Sequence, residues 1–289
     1  MPFFTVVIPT YNRAHIVERA IKSVLSQTFT DYEILIVDDG SIDGTVKVIE
    51  SFSNDKINYI YQENKGVCSA RNLGAKYSKG KYLVFLDSDD YVLENWLTDF
   101  HKILNEGDGA DLVFCDLKIV DIKTKQEKFK KAQYPFGEHF QSNYGLYLSG
   151  VFCVDRDFFL KLGGFDEKLK FGEFAEFGMR CFLNNPTKKY TCTTGFIYEI
   201  SMEGGGKNWM NRIDSNLYII EKHRWFFDKY SHSLRLYYQN IAVAYAKLSD
   251  MKQAKKYFWK AFVIKPTKIK TLTKCVMCFF PKLAKTRWN

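Results

Sequence analysis

"FFTVVIPTYNRAHIVERAIKSVLSQTFTDYEILIVDDG", residues 3–40, is the stretch that decides the fold. Residues 3–9 form a nearly unbroken apolar run, the pattern of a strand buried on both faces. From residue 14 to 27 the pattern changes. Ile16, Ala20, Ile21, Val24 and Leu25 recur at helical spacing. Residues 32–40 return to a strand pattern that ends in Asp38 and Asp39. A strand, a helix and a second strand in so short a span make a crossover unit, which joins parallel strands.

The same alternation continues to residue 120. It predicts a helix over 43–53 with Asp43 as its N-cap, then a strand at 56–62 and a helix at 67–78. A strand at 81–87, a helix at 93–104 and a strand at 110–120 follow. The expected class is α/β, a mostly parallel sheet with helices on both faces. Ligands of such sheets bind beyond the carboxyl ends of the strands. The polar clusters fall there: "TYNR" at 10–13, "DDGS" at 38–41 and "DSDD" at 87–90.

Beyond residue 120 the rhythm breaks. Residues 121–145 are polar and basic, a solvated loop or an excursion that binds an acceptor. A strand at 145–154, a helix stopping at Gly163-Gly164, a helix at 172–185 and a strand at 189–200 follow, then a glycine loop, "EGGGKN", at 203–208. The domain expectation is 1–212 for the nucleotide-binding domain, 213–266 for a helical appendage and 267–289 for a basic amphipathic tail. In the appendage, Tyr238, Ile241, Ala242, Tyr245, Ala254, Phe258, Ala261 and Pro266 fit the tetratricopeptide spacing. One such unit cannot bury its own face, so it is expected to pack on the rest of the chain. In the tail, Ile269, Leu272, Val276, Phe279 and Leu283 share one side with lysines elsewhere, as in an interfacial helix broken by Pro281.

Composition narrows the class. Hydrophobic residues at 46% and charged residues at 26% describe an ordinary soluble globular protein. No apolar run reaches the roughly 20 residues of a membrane-spanning helix. The N-terminus has neither basic leader nor cleavage site, so no signal peptide is expected. Seven scattered cysteines form no disulfide framework and fit reduced thiols in a cytoplasm; the lone C-x-x-C of Cys275 and Cys278 is a weak zinc or redox signal. The net charge of +9 comes from one place. Eleven of the 42 basic residues follow Met251, with no acidic residue among them, leaving 31 basic against 33 acidic in the body. A basic tail carrying apolar residues points to an anionic membrane surface and not to nucleic acid.

The chemistry gathers at "YLVFLDSDDYVL", 82–93. Asp87 and Asp89, two positions apart where a strand opens into a turn, can converge on one hard cation, Mn2+ or Mg2+, which keeps substrate phosphates as further ligands. The bland alternative makes Asp89 or Asp90 the N-cap of the next helix. The neighbours favour the cation. Asp39 ends the adjacent strand, where an acidic residue reads a nucleotide's base or ribose. Tyr11 offers a flat face to a base. Arg13 and Arg71 suit a diphosphate, and Arg71 lies near a helix start, where backbone amides favour anions.

"VVIPTYNR" (6–13), "VDDGSIDGT" (37–45), "NKGVCSARNLG" (64–74), "KYLVFLDSDD" (81–90) and "GGFDEKLKFGEFAEFGMR" (163–180) together resemble, in order and spacing, the inverting family 2 glycosyltransferases of the GT-A fold. The resemblance covers about residues 3–200. It implies transfer of a sugar from a nucleoside-diphosphate donor, UDP-linked, to a hydroxyl of a lipid-linked or growing surface glycan at the inner face of a membrane. It implies that Thr10, Tyr11 and Asp39 hold the base, that Arg71 lies beside the base or diphosphate, and that Asp87 contacts ribose or metal. Asp89 would ligate the metal.

One position departs from the pattern. Members read Glu-Asp where this chain reads Glu173-Phe174, and the aspartate is the expected base; phenylalanine cannot accept a proton. Glu173, Glu176 and Asp166 are the candidates to replace it. Two other functions compete. A non-catalytic nucleotide-sugar-binding protein, with the tetratricopeptide-like appendage recruiting partners, is consistent with Phe174. A nucleotidyltransferase would carry a glycine-rich phosphate loop after the first strand, and "PTYNRAH" has no glycine.

Overall fold

The structure, a computed structural model, describes residues 1–121, 123–132, 148–200 and 208–266, with 273 and 276. Outside the described residues lie most of the possible acceptor excursion, most of the glycine loop, Cys275, Cys278 and nearly all of the tail. The chain forms two compact units. The first is Met1–Pro135, Asn143–Glu167 and Glu173–Met202; the second is Phe136–Ser142, Lys168–Gly172 and Glu203–Asn289.

In the first unit β1 (Phe4–Thr10) leads through α1 (Val17–Leu25) to β2 (Tyr32–Asp38), and through α2 (Thr45–Glu50) to β3 (Ile57–Tyr61). Then come α3 (Val67–Tyr77), β4 (Tyr82–Phe85), β5 (Tyr91–Val92), α4 (Trp96–Asn105), β6 (Leu112–Asp121) and β7 (Glu127–Lys130). The unit closes with β8 (Phe152–Asp155), α5 (Arg156–Lys161), α6 (Glu173–Leu183) and β9 (Lys188–Ile200). Among the described residues one nine-stranded sheet runs β3-β2-β1-β4-β8-β6-β9-β5, with β7 on β6.

The α/β class is as expected, and the first half of the sheet is parallel. Thr10 lies opposite Asp38, Asp38 opposite Tyr61, and Val7 opposite Phe85, so β1, β2 and β4 end on one edge. Beyond β4 the expectation of a mostly parallel sheet needs correcting. β8 inserts between β4 and β6, antiparallel to both, and β5 and β7 also pair antiparallel. The reason is where the chain re-enters. Gly150 donates to the Phe85 carbonyl at the carboxyl edge (2.6 Å), and the chain then runs back to place Asp155 beside Tyr82.

The helices bind by their apolar stripes. Val17, Ala20, Ile21 and Val24 of α1 and Trp96, Leu97, Phe100 and Leu104 of α4 are buried in the main core with Phe4, Ile8, Ile34 and Val84. A second cluster lies across the sheet. Phe85, Phe152, Phe159, Phe165, Phe174 and Phe177 pack with ring centroids 5.0–6.5 Å apart. Each buried ring contributes about 1.5–3 kcal/mol by removal from water. This cluster is the floor on which α6 presents its carboxylates.

In the second unit, α7 (Trp209–Lys222), α8 (Arg224–Lys229), α9 (Ser231–Lys247) and α10 (Met251–Ile264) follow one another. Asp250 caps α10 by accepting from the Gln253 N–H (3.0 Å). Ile241 and Ala242 of α9 and Ala254, Tyr257 and Phe258 of α10 share a core with Ile213 of α7, so a third helix covers the face that the hairpin alone leaves open. No helix among the described residues is long and apolar enough to cross a membrane.

Candidate active site at the carboxylate edge

β4 ends at Phe85, and the chain turns immediately. The Asp90 N–H closes the turn on the Asp87 carbonyl (3.0 Å), and the Asp87 N–H donates to Ser149 Oγ (3.1 Å). Carboxylate oxygens of Asp87, Asp89 and Asp90 lie within 4.8 Å of one another. Capping is not their role. Tyr91-Val92 pair with Phe196 and Ile197 as β5, and α4 starts only at Trp96.

Such crowding has an electrostatic cost. Burial and the Asp87 charge push the Asp89 carboxyl above the ordinary carboxylate value, against the pull of Arg13 and Arg19. Burial, then Asp87 and Asp89, push the Asp90 carboxyl well above it. Three hard oxygen donors with unbalanced negative charge fit a divalent cation of the magnesium or manganese kind.

The loops after β1 and β2 are stitched into one wall beside this turn. Asn12 N–H donates to Ser41 Oγ (2.8 Å), the Arg13 N–H to Thr45 Oγ1 (2.9 Å) and the Ala14 N–H to Asp43 Oδ2 (3.1 Å). The N-cap of α2 is Gly44, so Asp43, expected as the cap, stands one residue outside it; it accepts from the Thr45 N–H (2.9 Å) and ties two loops together. Thr10 is buried with its Oγ1 lacking a hydrogen-bond partner, while Tyr11 stands 45% exposed. Asp39 is buried and accepts from Gln62 Nε2 (2.6 Å), Lys65 N–H (2.8 Å) and Gly66 N–H (2.8 Å). A carboxylate has about four acceptor sites, so one remains for a ligand's N–H. Asp39 and Asp89 therefore lie on the same sheet edge, two strands apart, with Arg13 close enough to act on Asp89.

Arg71 is oriented differently from the sequence expectation. Its side chain is 2% exposed, and its fork is divided between Asp87 Oδ1 (2.5 Å from Nη2) and Glu173 Oε1 (2.8 Å from Nη1). The Phe174 ring covers the guanidinium at 4.6 Å and Phe165 lies at 5.7 Å. Both carboxylates raise its pKa far beyond what burial takes away. It is an internal cation that joins the cation turn to the start of α6, with no exposed face for a diphosphate.

The three base candidates separate. Glu173 is 13% exposed, and its second oxygen makes no hydrogen bond among the described residues. Glu176 is 0% exposed and receives Arg180 Nε (3.0 and 3.1 Å) and Nη2 (2.7 Å). Arg180 also donates to the carbonyls of Leu162 (2.5 Å) and Gly164 (2.6 Å). Glu176 is therefore a structural residue that holds the Gly163-Gly164 turn, where φ is +82° and +66° and a side chain would be strained. Asp166 is half-buried and follows Phe165. Burial first, then the charges of Glu173 and Asp166, push the Cys68 thiol up, against the pull of Arg71.

Phe174, where an aspartate is expected by resemblance, is a core residue of the phenylalanine cluster and stacks on Arg71.

Three residues that matter here were not singled out from the sequence. Asn72 exchanges hydrogen bonds with the Phe165 backbone (2.8 Å each way) and so fixes the turn before Asp166. Arg180 braces the same turn, and Arg19 binds the cation turn. Asn72 and Arg180 stood inside quoted motifs without being singled out, and Arg19 was a single charge on a helix.

A mixed sheet with a nucleotide-type edge and a trailing carboxylate helix is the GT-A architecture. The family model "Glycosyl transferase family 2" matches residues 5–165, and the chain belongs to that family. It is 35% identical over 177 residues to an uncharacterized glycosyltransferase of Rickettsia typhi, covering 59% of this chain and 55% of that one. It is 36% identical over 112 residues to the glycosyltransferase GlyG of Streptococcus pneumoniae, covering 38% and 37%. The chain thus spans about half or less of the curated relatives it matches. Among solved structures, residues 1–349 of S. aureus TarS in complex with UDP-GlcNAc superpose with a TM-score of 0.63 at 18% identity, covering 98% of this chain and 88% of that one. That likeness concerns the fold.

Proposed function

We propose that the chain is a divalent-cation-dependent, inverting glycosyltransferase that moves a sugar from a UDP-linked donor to an acceptor hydroxyl. The observation that carries this is the Arg71 bridge: one buried guanidinium ties Asp87, at the cation turn, to Glu173, the one α6 carboxylate with a free oxygen. Thr10, Tyr11, Arg13 and Asp39 would form the nucleotide wall, and Asp87 and Asp89 would hold Mn2+ or Mg2+. TarS in complex with UDP-GlcNAc and with UDP supports the donor class.

In the reaction, Glu173 Oε2 takes the acceptor hydroxyl proton while the acceptor oxygen attacks the anomeric carbon. The bond from that carbon to the diphosphate oxygen breaks, and its electron pair leaves with UDP. The bound cation would offset charge growing on the diphosphate. The acceptor is proposed to be a lipid-linked or growing surface glycan at the inner face of a membrane, with the basic tail on anionic lipid.

A second reading, a non-catalytic nucleotide-sugar binder, is favoured by Phe174. One experiment separates them. Incubation with a panel of nucleotide sugars, Mn2+ and glycan acceptors should release diphosphate nucleotide, and Asp89→Ala should abolish Mn2+-dependent UDP binding. Binding without turnover under any pairing supports the second reading; undiminished Mn2+-dependent binding by Asp89→Ala refutes the cation assignment.

A further inference from the structure

Arg19 sits on the exposed side of α1, far in sequence from the cation turn, yet three contacts commit it there. Nη2 donates to the main-chain carbonyl of Asp89 (2.6 Å), and Nη1 binds Glu199 Oε2 near the end of β9 (2.5 Å). Its guanidinium lies 4.7 Å from the centroid of the Tyr91 ring. These contacts bridge 70 and 180 residues of sequence. The turn from Asp87 to Asp90 is otherwise closed by a single backbone hydrogen bond, Asp90 N–H to the Asp87 carbonyl (3.0 Å), and Ser149 and Arg71 hold only its first residue, Asp87.

We infer that Arg19 is a positioning residue for the cation site: it fixes the Asp89 backbone against β9, so that the carboxylates of Asp87, Asp89 and Asp90 stay converged on one ion. The inference rests on the divalent-cation reading above. It has an unusual consequence of sign. Arg19 is a positive charge felt at Asp89, so charge alone makes its removal tighten cation binding. Positioning makes removal weaken it. Like charges near one another also resist collapse, and three carboxylates released from a fixed turn move apart.

The test is Mn2+ binding by the full chain, read from the electron paramagnetic signal of free Mn2+, with and without UDP. Arg19→Gln should bind Mn2+ about 10- to 100-fold more weakly, the loss expected for a hydrogen bond from a charged group. Arg19→Lys keeps the charge and loses the two-pronged fork, and should also bind more weakly. Adding Glu199→Gln to Arg19→Gln should cost little more, because the two act as one latch. Circular dichroism of each variant confirms that the fold is kept; if Arg19→Gln does not fold, Arg19→Lys decides. Unchanged or tighter Mn2+ binding by the folded variants overturns the inference and leaves the cation site standing. A wild-type chain that binds no Mn2+ under either condition overturns both.

Discussion

Replacing Glu173 and Glu176 separately by glutamine should give opposite phenotypes, although the two residues lie less than one helical turn apart. Glu173→Gln keeps an acceptor oxygen for Arg71 Nη1 but removes the proton acceptor. Losing charge assistance in that 2.8 Å contact costs about 1 kcal/mol or less of stability. Losing the base should lower kcat by about 10²- to 10⁴-fold with little change in donor affinity. Glu176→Gln removes the partner of Arg180 from a fully buried site. A buried pair broken outright costs about 3–5 kcal/mol. Here the amide oxygen and the carbonyls of Leu162 and Gly164 still accept, so a loss of about 2 kcal/mol is expected. At roughly 2–4 °C per kcal/mol for a domain of this size, the melting midpoint should fall by about 4–8 °C. Turnover per folded molecule should stay within a few-fold of wild type. The assays are release of diphosphate nucleotide at saturating donor and a thermal melt of each variant. A folded Glu176→Gln protein without turnover, or a Glu173→Gln protein with wild-type kcat, would falsify the assignment of Glu173 as base.

Two further outcomes test the scaffold. In Gly74→Ala the new methyl would stand 2.4 Å from Val7 Cγ1 and 3.3 Å from Val37 Cγ2, so α3 must lift from β1 and β2; a loss of about 1–3 kcal/mol or more should appear in urea unfolding. Burial pushes the Asp43 carboxyl up, but hydrogen bonds from Thr45 and Ala14 outweigh it and leave its pKa below the ordinary 3.8. Its stabilisation is therefore present above that value and lost as pH falls through the lowered one. Asp43→Asn should be less stable than wild type at pH 7, and the gap should close in melts run into the acid range; a gap constant with pH contradicts it.

The elements of the first 120 residues were legible because apolar periodicity is a local property. The helix over 17–25 and the strands at 4–10 and 32–38 follow from side-chain spacing alone. Tyr91-Val92 was not legible as a strand, since two residues carry no period and only the pairing with β9 defines them. The direction of β8 was hidden for another reason: it depends on the edge at which a distant segment re-enters the sheet. Arg71 read as a cation open to a diphosphate because arginine is mostly exposed, and nothing nearby in sequence shows that two carboxylates and two phenylalanine rings close over it. Arg19 left no signal at all, its partners being 70 and 180 residues away.

What the sequence determined by itself is the alternation of strands and helices and the set of carboxylates that collects where the strands end. Both depend on neighbours within a few residues. Which carboxylate of α6 faces the turn and which is buried under Arg180, and which arginines lie inside, only the tertiary structure decided. Positions three apart on a helix point some tens of degrees apart, about 60°, and the packing of α5 and the phenylalanine cluster selects between them.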